Sequence, residues 1–252
     1  MASSHTDLDT DLTDVPVEKR PDHIAAIMDG NGRWAQLQNL PRAEGHRHGT
    51  TVARNITEEC SRLNIGQLTL YCLSSENWKR PQLELDFLMF LLQQYLIQER
   101  KTLIENNIRL QVIGRRNRLP ADVQKEMDKT LKISESHTGT CLCLAINYGS
   151  RTEIVDAVRE IATKVHQKEL NADDIDENMI SQHLYTAGMR DPDLLIRTAG
   201  EMRISNYLLW QISYSELWIT DRYWPEFGVE DLHRAIRDYS SRERRFGGLK
   251  NS

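Results

Sequence analysis

The sequence predicts an α/β fold: a central, largely parallel six-stranded sheet with helices on both faces. Six apolar runs short enough for strands recur along the 252 residues, and longer stretches of helical periodicity separate them. Neither an internal repeat nor a Pro/Gly/Ser-rich linker interrupts the alternation after residue 22. Strands joined through helices run parallel, and a parallel sheet must be covered on both faces. A composition of 39% hydrophobic and 27% charged residues, with 13 Gly and 7 Pro, excludes collagen-like, low-complexity and wholly disordered classes. A chain of this length can hide roughly 70% of its extended surface, enough for a substantial core.

Residues 1–21 are acidic and rich in Ser and Thr, with no basic region followed by an apolar one. They are expected to form a flexible solvated tail, neither secretory signal nor transit peptide, ahead of a single domain spanning 22–252. The first strand is expected at Ile24–Met28, followed by a helix in which Val52, Ile56, Cys60 and Leu63 share one face. A second strand falls at Leu68–Leu73. Pro81 then opens a long helical stretch, Glu84–Asn106, with Leu85, Leu88, Met89, Leu92, Leu96 and Leu103 as its apolar stripe. Strands at Ile108–Ile113, Cys141–Ile146, Leu194–Ile196 and Leu217–Ile219 alternate with helices at Ala121–Ser134, Thr152–His166, Glu177–Thr186 and Val229–Arg244.

The balance of 32 Lys+Arg against 37 Asp+Glu gives a net charge of −5, which argues against a nucleic-acid partner. The longest apolar runs fall far short of the ~20 residues of a membrane span. Cys141 and Cys143 form a C-x-C pair explained by strand alternation, and no second ligand pair for zinc accompanies it. Reduced thiols of a cytoplasmic protein are expected.

In such folds ligands bind beyond the carboxyl ends of the strands, and polar loops follow the apolar runs here. Asp29-Gly30-Asn31-Gly32-Arg33 offers a carboxylate, two glycines that let backbone N–H groups approach a ligand, and a guanidinium at a helix start. These are the parts of a site for a diphosphate with a divalent metal ion, although Asn-Gly is equally a hairpin turn. Arg42, His46, Arg80, Arg197 and Arg203 add cations near the same edge and point to a polyanionic ligand. Arg115, Arg116 and Arg118 read as a solvated turn, and Asp173, Asp174 and Asp176 as a loop opening a helix.

The chain resembles the cis-prenyltransferase family, typified by undecaprenyl diphosphate synthase. The resemblance runs through His23–Ala35, Pro41–His46, Leu73–Pro81, Asn147–Gly149, Asp193–Glu201, Arg203, Ser205–Asn206, Leu208–Gln211, Ser215–Glu216, Trp224–Pro225 and Arg244–Gly248, in the family's order. It implies repeated Mg²⁺-dependent condensation of isopentenyl diphosphate with an allylic diphosphate such as farnesyl diphosphate, each step making a cis double bond. It also implies a homodimer and an apolar tunnel for the product between the sheet and the 84–106 helix.

By position, Asp29 would hold the metal and help the allylic diphosphate leave. Gly30, Asn31, Gly32, Arg33, Arg42 and Arg80 would bind that diphosphate with His46 close by, and Ser74 and Asn77 would serve the proton-abstraction step. Arg197, Arg203 and Ser205 would take the incoming diphosphate, Glu216 would be linked to its Mg²⁺, and Arg245 and Gly247 would reach the partner subunit's site. Trp34, Ser75, Glu76, Trp78 and Ile204 lie inside these motifs and are carried with them as substrate contacts. Asn77 is a poor base, so a relay through water or a diphosphate oxygen suits the chemistry better.

Departures from the family pattern are Ala199, Ser150 and Gln36–Asn39, none of which removes a group assigned to chemistry. A long product, undecaprenyl diphosphate as a lipid-carrier precursor for cell-wall synthesis, is expected, with peripheral visits to the membrane surface for its release. Medium- and short-chain synthases share the same loops. A non-catalytic partner subunit would be expected to lose Asp29 or Asn77, and a trans-prenyltransferase would carry paired D-D-x-x-D motifs. An unrelated phosphate-binding α/β module is the remaining alternative.

Overall fold

The computed structural model describes residues 11–244. Six strands form one parallel sheet: β1 (His23–Ile27), β2 (Gln67–Ser74), β3 (Arg109–Ile113), β4 (Cys141–Tyr148), β5 (Leu194–Arg197) and β6 (Glu216–Ile219). Their spatial order is β3-β4-β2-β1-β5-β6. The chain adds β2, then β4 and β3, on one side of β1 and β5 and β6 on the other, so a topological switch lies at β1. Such switches open a crevice beyond the carboxyl ends of the strands.

Side-chain alternation along each strand divides the core in two. Ile24, Ala26, Leu68, Leu70, Leu142, Leu144, Leu194 and Ile196 pack to one face, whereas Ala25, Ile27, Cys143, Ala145 and Leu195 pack to the other. This is the two-residue period of a strand buried on both sides. The first face is covered by α2 (Arg42–Arg62), α3 (Gln82–Gln98), α4 (Arg100–Glu105), α5 (Ala121–Ser134) and α8 (Val229–Ser241). Tyr207, Leu208 and Tyr185 pack against the second face. The remaining helices are α1 (Asn31–Leu37), α6 (Ser150–His166) and α7 (Glu177–His183).

All six expected strands form, with boundaries shifted by at most two residues. The long helical stretch does not remain one helix. It breaks at Glu99, whose buried carboxylate accepts from Arg54 Nε at 2.8 and 2.9 Å and ties α2 to the break. The last two helices stop at His183 and Ser241, short of the expected Thr186 and Arg244.

The expected tail is also shorter where the structure describes it. Leu12 and Val15 are buried in the main core, Arg20 donates to the Leu12 and Val15 carbonyls, and Arg237 pairs with Asp14 at 2.8 Å. Two apolar side chains in an acidic segment are enough to seat it on α8. Residues 1–10 lie outside the described residues.

Candidate active site

β1 ends at Ile27, and the chain turns through Met28 and Asp29 into Gly30, whose φ of 97° caps α1. A Cβ at Gly30 would stand 2.4 Å from Tyr223 Cδ1, so both the left-handed backbone and the close approach demand glycine. The main chain of Asp29 is held by one hydroxyl: its N–H donates to Thr198 Oγ1 at 2.9 Å, and that hydroxyl donates to the Asp29 carbonyl at 2.7 Å.

The Asp29 carboxylate is gripped from three sides. Arg197 Nη2 donates to Oδ2 at 2.8 Å, Gly30 N–H donates to Oδ1 at 2.7 Å, and Arg33 Nη2 lies 3.3 Å from Oδ1. Burial alone would raise its pKa, but the Arg197 hydrogen bond and charge, helped by Gly30 N–H and Arg33, hold it below the usual carboxylate range. Asp29 is therefore ionised at neutral pH. At an effective dielectric of ~20, opposite charges ~4 Å apart attract by about 4 kcal/mol, which opposes the cost of burying Arg197.

Arg197 is only 5% exposed. Its Nη1 donates to Ser205 Oγ at 2.8 Å and also to the Arg203 carbonyl. It thereby anchors a loop in which Ala199, Ser205, Asn206 and Leu208 all have positive φ. For such residues this backbone costs about 1–2 kcal/mol each, and it clusters where surrounding contacts over-determine the chain.

A second group of cations surrounds Glu84. Arg80 Nη1 donates to its carboxylate at 2.9 Å, Arg42 Nε lies at 3.8 Å and His46 Nε2 at 3.9 Å. Burial, reinforced by the charges of Arg80 and Arg42 against the pull of Glu84, pushes His46 down to about 4. His46 is therefore a neutral imidazole at pH 7. Its Nε2 makes no hydrogen bond among the described residues.

Both groups meet at the mouth of a cavity of about 700 Å³. Asp29, Asn31, His46, Ser74, Glu76, Asn77, Arg80, Arg197, Arg203 and Ser205 line it on the polar side. Beyond them the walls become apolar: Ala53 from α2, Leu70 and Cys72 from β2, Leu144 from β4, and Leu88, Leu91, Leu92 and Tyr95 from α3. The helical stripe read from the sequence thus divides. Leu85, Met89, Leu96 and Leu103 are closed core, whereas Leu88 and Leu92 face the cavity.

Asn77 caps the 3-10 turn Ser75–Lys79, accepting from Ser74 N–H at its Oδ1 at 3.0 Å. That contact fixes which end of the carboxamide is engaged, leaving the Nδ2 group as donor. Glu76 is held by Asn206 Nδ2 at 2.8 Å. Gly32 lies against the Arg42 guanidinium, 2.6 Å from the position of a Cβ.

Several expected site residues face elsewhere. Trp78 donates from Nε1 to Asn147 Oδ1 at 2.6 Å and carries Arg118 over its ring at 4.5 Å, so Arg118 is not simply solvated. Arg115 and Arg116 are paired too, with Asp156 and Asp128 at 2.5 Å. Trp34 rests on His48, Ser75 sits against Gly149, and Ile204 packs into the second core. Arg245 and Gly247 lie outside the described residues.

Glu216, expected to be linked to the Mg²⁺ of the incoming diphosphate, lies away from the cavity lining within one chain. Glu216 stands opposite Leu194 at the amino-terminal end of the sheet, whereas Asp29 follows the pair Ile27–Arg197 at the carboxyl end. Its carboxylate accepts from Arg242 at 2.8 Å. Among the described residues no three His, Cys, Asp or Glu side chains gather as a metal set. Of the two residues expected at a metal, Asp29 lines the cavity, a hard oxygen donor 28% exposed, and the Glu76 carboxylate shares that lining. This suits a cation that takes one or two carboxylates and completes its shell from phosphate oxygens and water.

Sequence reasoning did not assign Glu84, Thr198, Asn206 or Tyr95 to the site. Glu84 carried no signal beyond its place after Pro81, and the Thr198 clamp depends on two strands meeting. Tyr95 carried one, a polar tip within an apolar stripe.

The profile of the undecaprenyl diphosphate synthase family of prenyltransferases matches residues 27–247. An isoprenyl transferase of Rhodopirellula baltica is 55% identical over 240 residues, 94% of this chain and 98% of that protein. One from Geobacter sulfurreducens is 50% identical, covering 91% and 94%. Among solved structures, lavandulyl diphosphate synthase from Lavandula x intermedia, crystallised with dimethylallyl diphosphate, superposes with a TM-score of 0.89 at 39% identity, covering 91% of this chain and 99% of that one. A probable undecaprenyl diphosphate synthase from Campylobacter jejuni superposes with a TM-score of 0.74 at 32% identity, covering 90% and 98%.

Proposed function

The chain belongs to the undecaprenyl diphosphate synthase family of prenyltransferases, and from that premise we propose that it condenses isopentenyl diphosphate repeatedly with an allylic diphosphate, farnesyl diphosphate being the expected starter, to build a cis-polyprenyl diphosphate. The observation that carries this reading is the Asp29–Arg197 pair at the polar mouth of an apolar cavity. Two clusters of cations suit two diphosphates. Arg80 and Arg42, with His46, would hold the allylic one together with the Gly30–Arg33 turn, and Arg197, Arg203 and Ser205 would hold the incoming one. Asp29 would hold Mg²⁺, which when bound supplies positive charge to a departing diphosphate.

In each cycle the allylic C–O bond breaks and diphosphate leaves. The terminal alkene carbon of isopentenyl diphosphate bonds to the allylic carbon, and a proton leaves the neighbouring methylene. Guanidinium groups fixed before the reaction stabilise the charge that develops on the leaving oxygens without reorganising. Asn77, its oxygen committed to Ser74, would orient the acceptor of that proton through Nδ2 rather than take it. The proton would pass to water or a diphosphate oxygen.

An undecaprenyl product for cell-wall synthesis is the long-chain form of this proposal. A medium- or short-chain product is its second form. Assembly as a homodimer and cytoplasmic residence with peripheral membrane contact belong to the same reading. No helix among the described residues is long and apolar enough to cross a membrane. The test is incubation with Mg²⁺, farnesyl diphosphate and radiolabelled isopentenyl diphosphate, then dephosphorylation and sizing. A ladder of cis-polyprenols, absent with Asp29→Ala, is expected. No incorporation by the folded protein with any allylic starter overturns the reading and favours a non-catalytic partner subunit.

A further inference from the structure

Three segments far apart in sequence meet around the carboxamide of Asn206. This residue belongs to the loop that carries Arg203 and Ser205, and it reaches both the start of α6 and the turn Ser75–Lys79 that carries Asn77. Its Oδ1 accepts from Arg151 N–H at 2.9 Å and its main-chain carbonyl from Ser150 N–H at 2.8 Å, which satisfies two amides at the open end of that helix. Its Nδ2 donates to Glu76 Oε1 at 2.8 Å. The two ends of one carboxamide are thus engaged on two different segments. Among the described residues, the contact with Glu76 is the one hydrogen bond that joins the 203–206 loop to the 75–79 turn.

The surroundings are shaped to this contact. Asn206 has a φ of 59°, in the left-handed region that asparagine tolerates better than most residues. A Cβ at Gly149 would stand 2.4 Å from Ser75 Oγ and 2.7 Å from Asn206 Nδ2, so glycine lets the three segments close up. Ser150, fully buried, adds a second tie by accepting from Leu209 N–H at 2.9 Å. Burial raises the Glu76 carboxyl, but the Asn206 amide, its own N–H and the Ser74 and Ser75 hydroxyls hold it below the usual carboxylate range. An ionised acceptor therefore faces the Asn206 donor, the stronger kind of hydrogen bond.

Under the prenyltransferase reading, on which this inference rests, Arg203 and Ser205 hold the diphosphate of the incoming substrate, and Asn77 serves the loss of a proton from its methylene. The spacing between loop and turn then decides whether the two ends of one substrate meet their groups together. Arg197 fixes the loop from the side of Asp29, through Ser205 Oγ and the Arg203 carbonyl, but does not reach the turn. We propose that Asn206 is a positioning residue that couples the Arg203–Ser205 loop to the Asn77 turn through Glu76.

The test reverses donor and acceptor. Asn206→Asp keeps an acceptor for Arg151 N–H and suits the left-handed backbone, but sets a carboxylate against Glu76. Its kcat is expected to fall about 10²-fold, the scale for a small misplacement of reacting groups, with the KM of the allylic diphosphate unchanged. Adding Glu76→Gln gives the new carboxylate a carboxamide donor, so the double variant should match Glu76→Gln alone. A double variant as impaired as Asn206→Asp overturns the proposal, as does wild-type kcat in Asn206→Asp or an allylic KM that rises in step with the loss. Should Asn206→Asp fail to fold, Asn206→Gly, which keeps the backbone and the carbonyl contact with Ser150, is expected to show the same loss; wild-type kcat there overturns the proposal.

Amide hydrogen exchange separates this inference from the reading it rests on. Residues 75–80 should exchange faster in Asn206→Asp and return to the rate of Glu76→Gln in the double variant, with or without turnover. A wild-type protein that incorporates nothing yet shows this pattern refutes the catalytic reading and keeps the coupling of loop to turn. Unchanged exchange over 75–80 in Asn206→Asp refutes the coupling.

Discussion

Arg197 Nη2 lies 2.8 Å from Asp29 Oδ2, joining residues 168 apart in sequence at the carboxyl ends of neighbouring parallel strands. Asp29→Asn keeps the shape and removes the charge. It should leave the fold intact while lowering turnover by about 10²-fold or more, the scale for one preorganised electrostatic group. Circular dichroism and steady-state incorporation measured side by side check this, and near-wild-type turnover would refute it.

Two histidines make the fold sensitive to acid. Burial lowers His23 to about 4 despite hydrogen bonding to the Arg190 carbonyl, and His46 is lowered to about 4 as well. The unfolded chain protonates near ~6.5 and the folded chain only near 4. Between these values the unfolded state binds more protons, so stability present above pH ~6.5 is lost as pH falls towards 4, by up to about 3 kcal/mol per histidine. Urea midpoints at pH 7 and 4.5 should show the loss, and His46→Gln should show less of it.

Gly45 is the contact between α2 and the start of α1. A Cβ there would stand 1.9 Å from the Asn31 backbone oxygen, which cannot swing aside. Gly45→Ala is expected to cost about 3 kcal/mol and to displace the Asp29–Arg33 turn. Gly188 provides the control: its φ is +78° with nothing within 4 Å, so Gly188→Ala should cost only about 1–2 kcal/mol. Equal melting temperatures for the two variants would contradict this.

Under the proposed function, release of the prenyl product is expected to limit turnover, since its tail must leave the apolar cavity for water, detergent or membrane. A mild detergent should raise steady turnover, and the first turnover should appear as a burst. An unchanged rate without a burst would place the slow step elsewhere.

The strands were legible because parallel strands buried on both faces read as short apolar runs, and helices such as Ala121–Ser134 because their stripe survives intact. The candidate site was legible where it is local: Asp29 to Arg33 carries its own turn, carboxylate and cation. The break at Glu99 was not, because its cause is Arg54 on another helix, 45 residues away. The seat of Leu12 and Val15 was hidden too, since two apolar residues in an acidic stretch have no period.

What the sequence determined by itself is the alternation of elements, the loops that hold the ionisable groups, and the family those loops resemble. Only the tertiary structure decided which groups meet. It sent Arg197 to Asp29 and Glu216 to the amino-terminal end of the sheet, joined Trp78 to Asn147, and placed Tyr95 on the cavity wall. The physical reason is that periodicity reports only whether a side chain is inside. Which neighbour it finds there depends on strand order and register, fixed by packing between segments far apart in the chain.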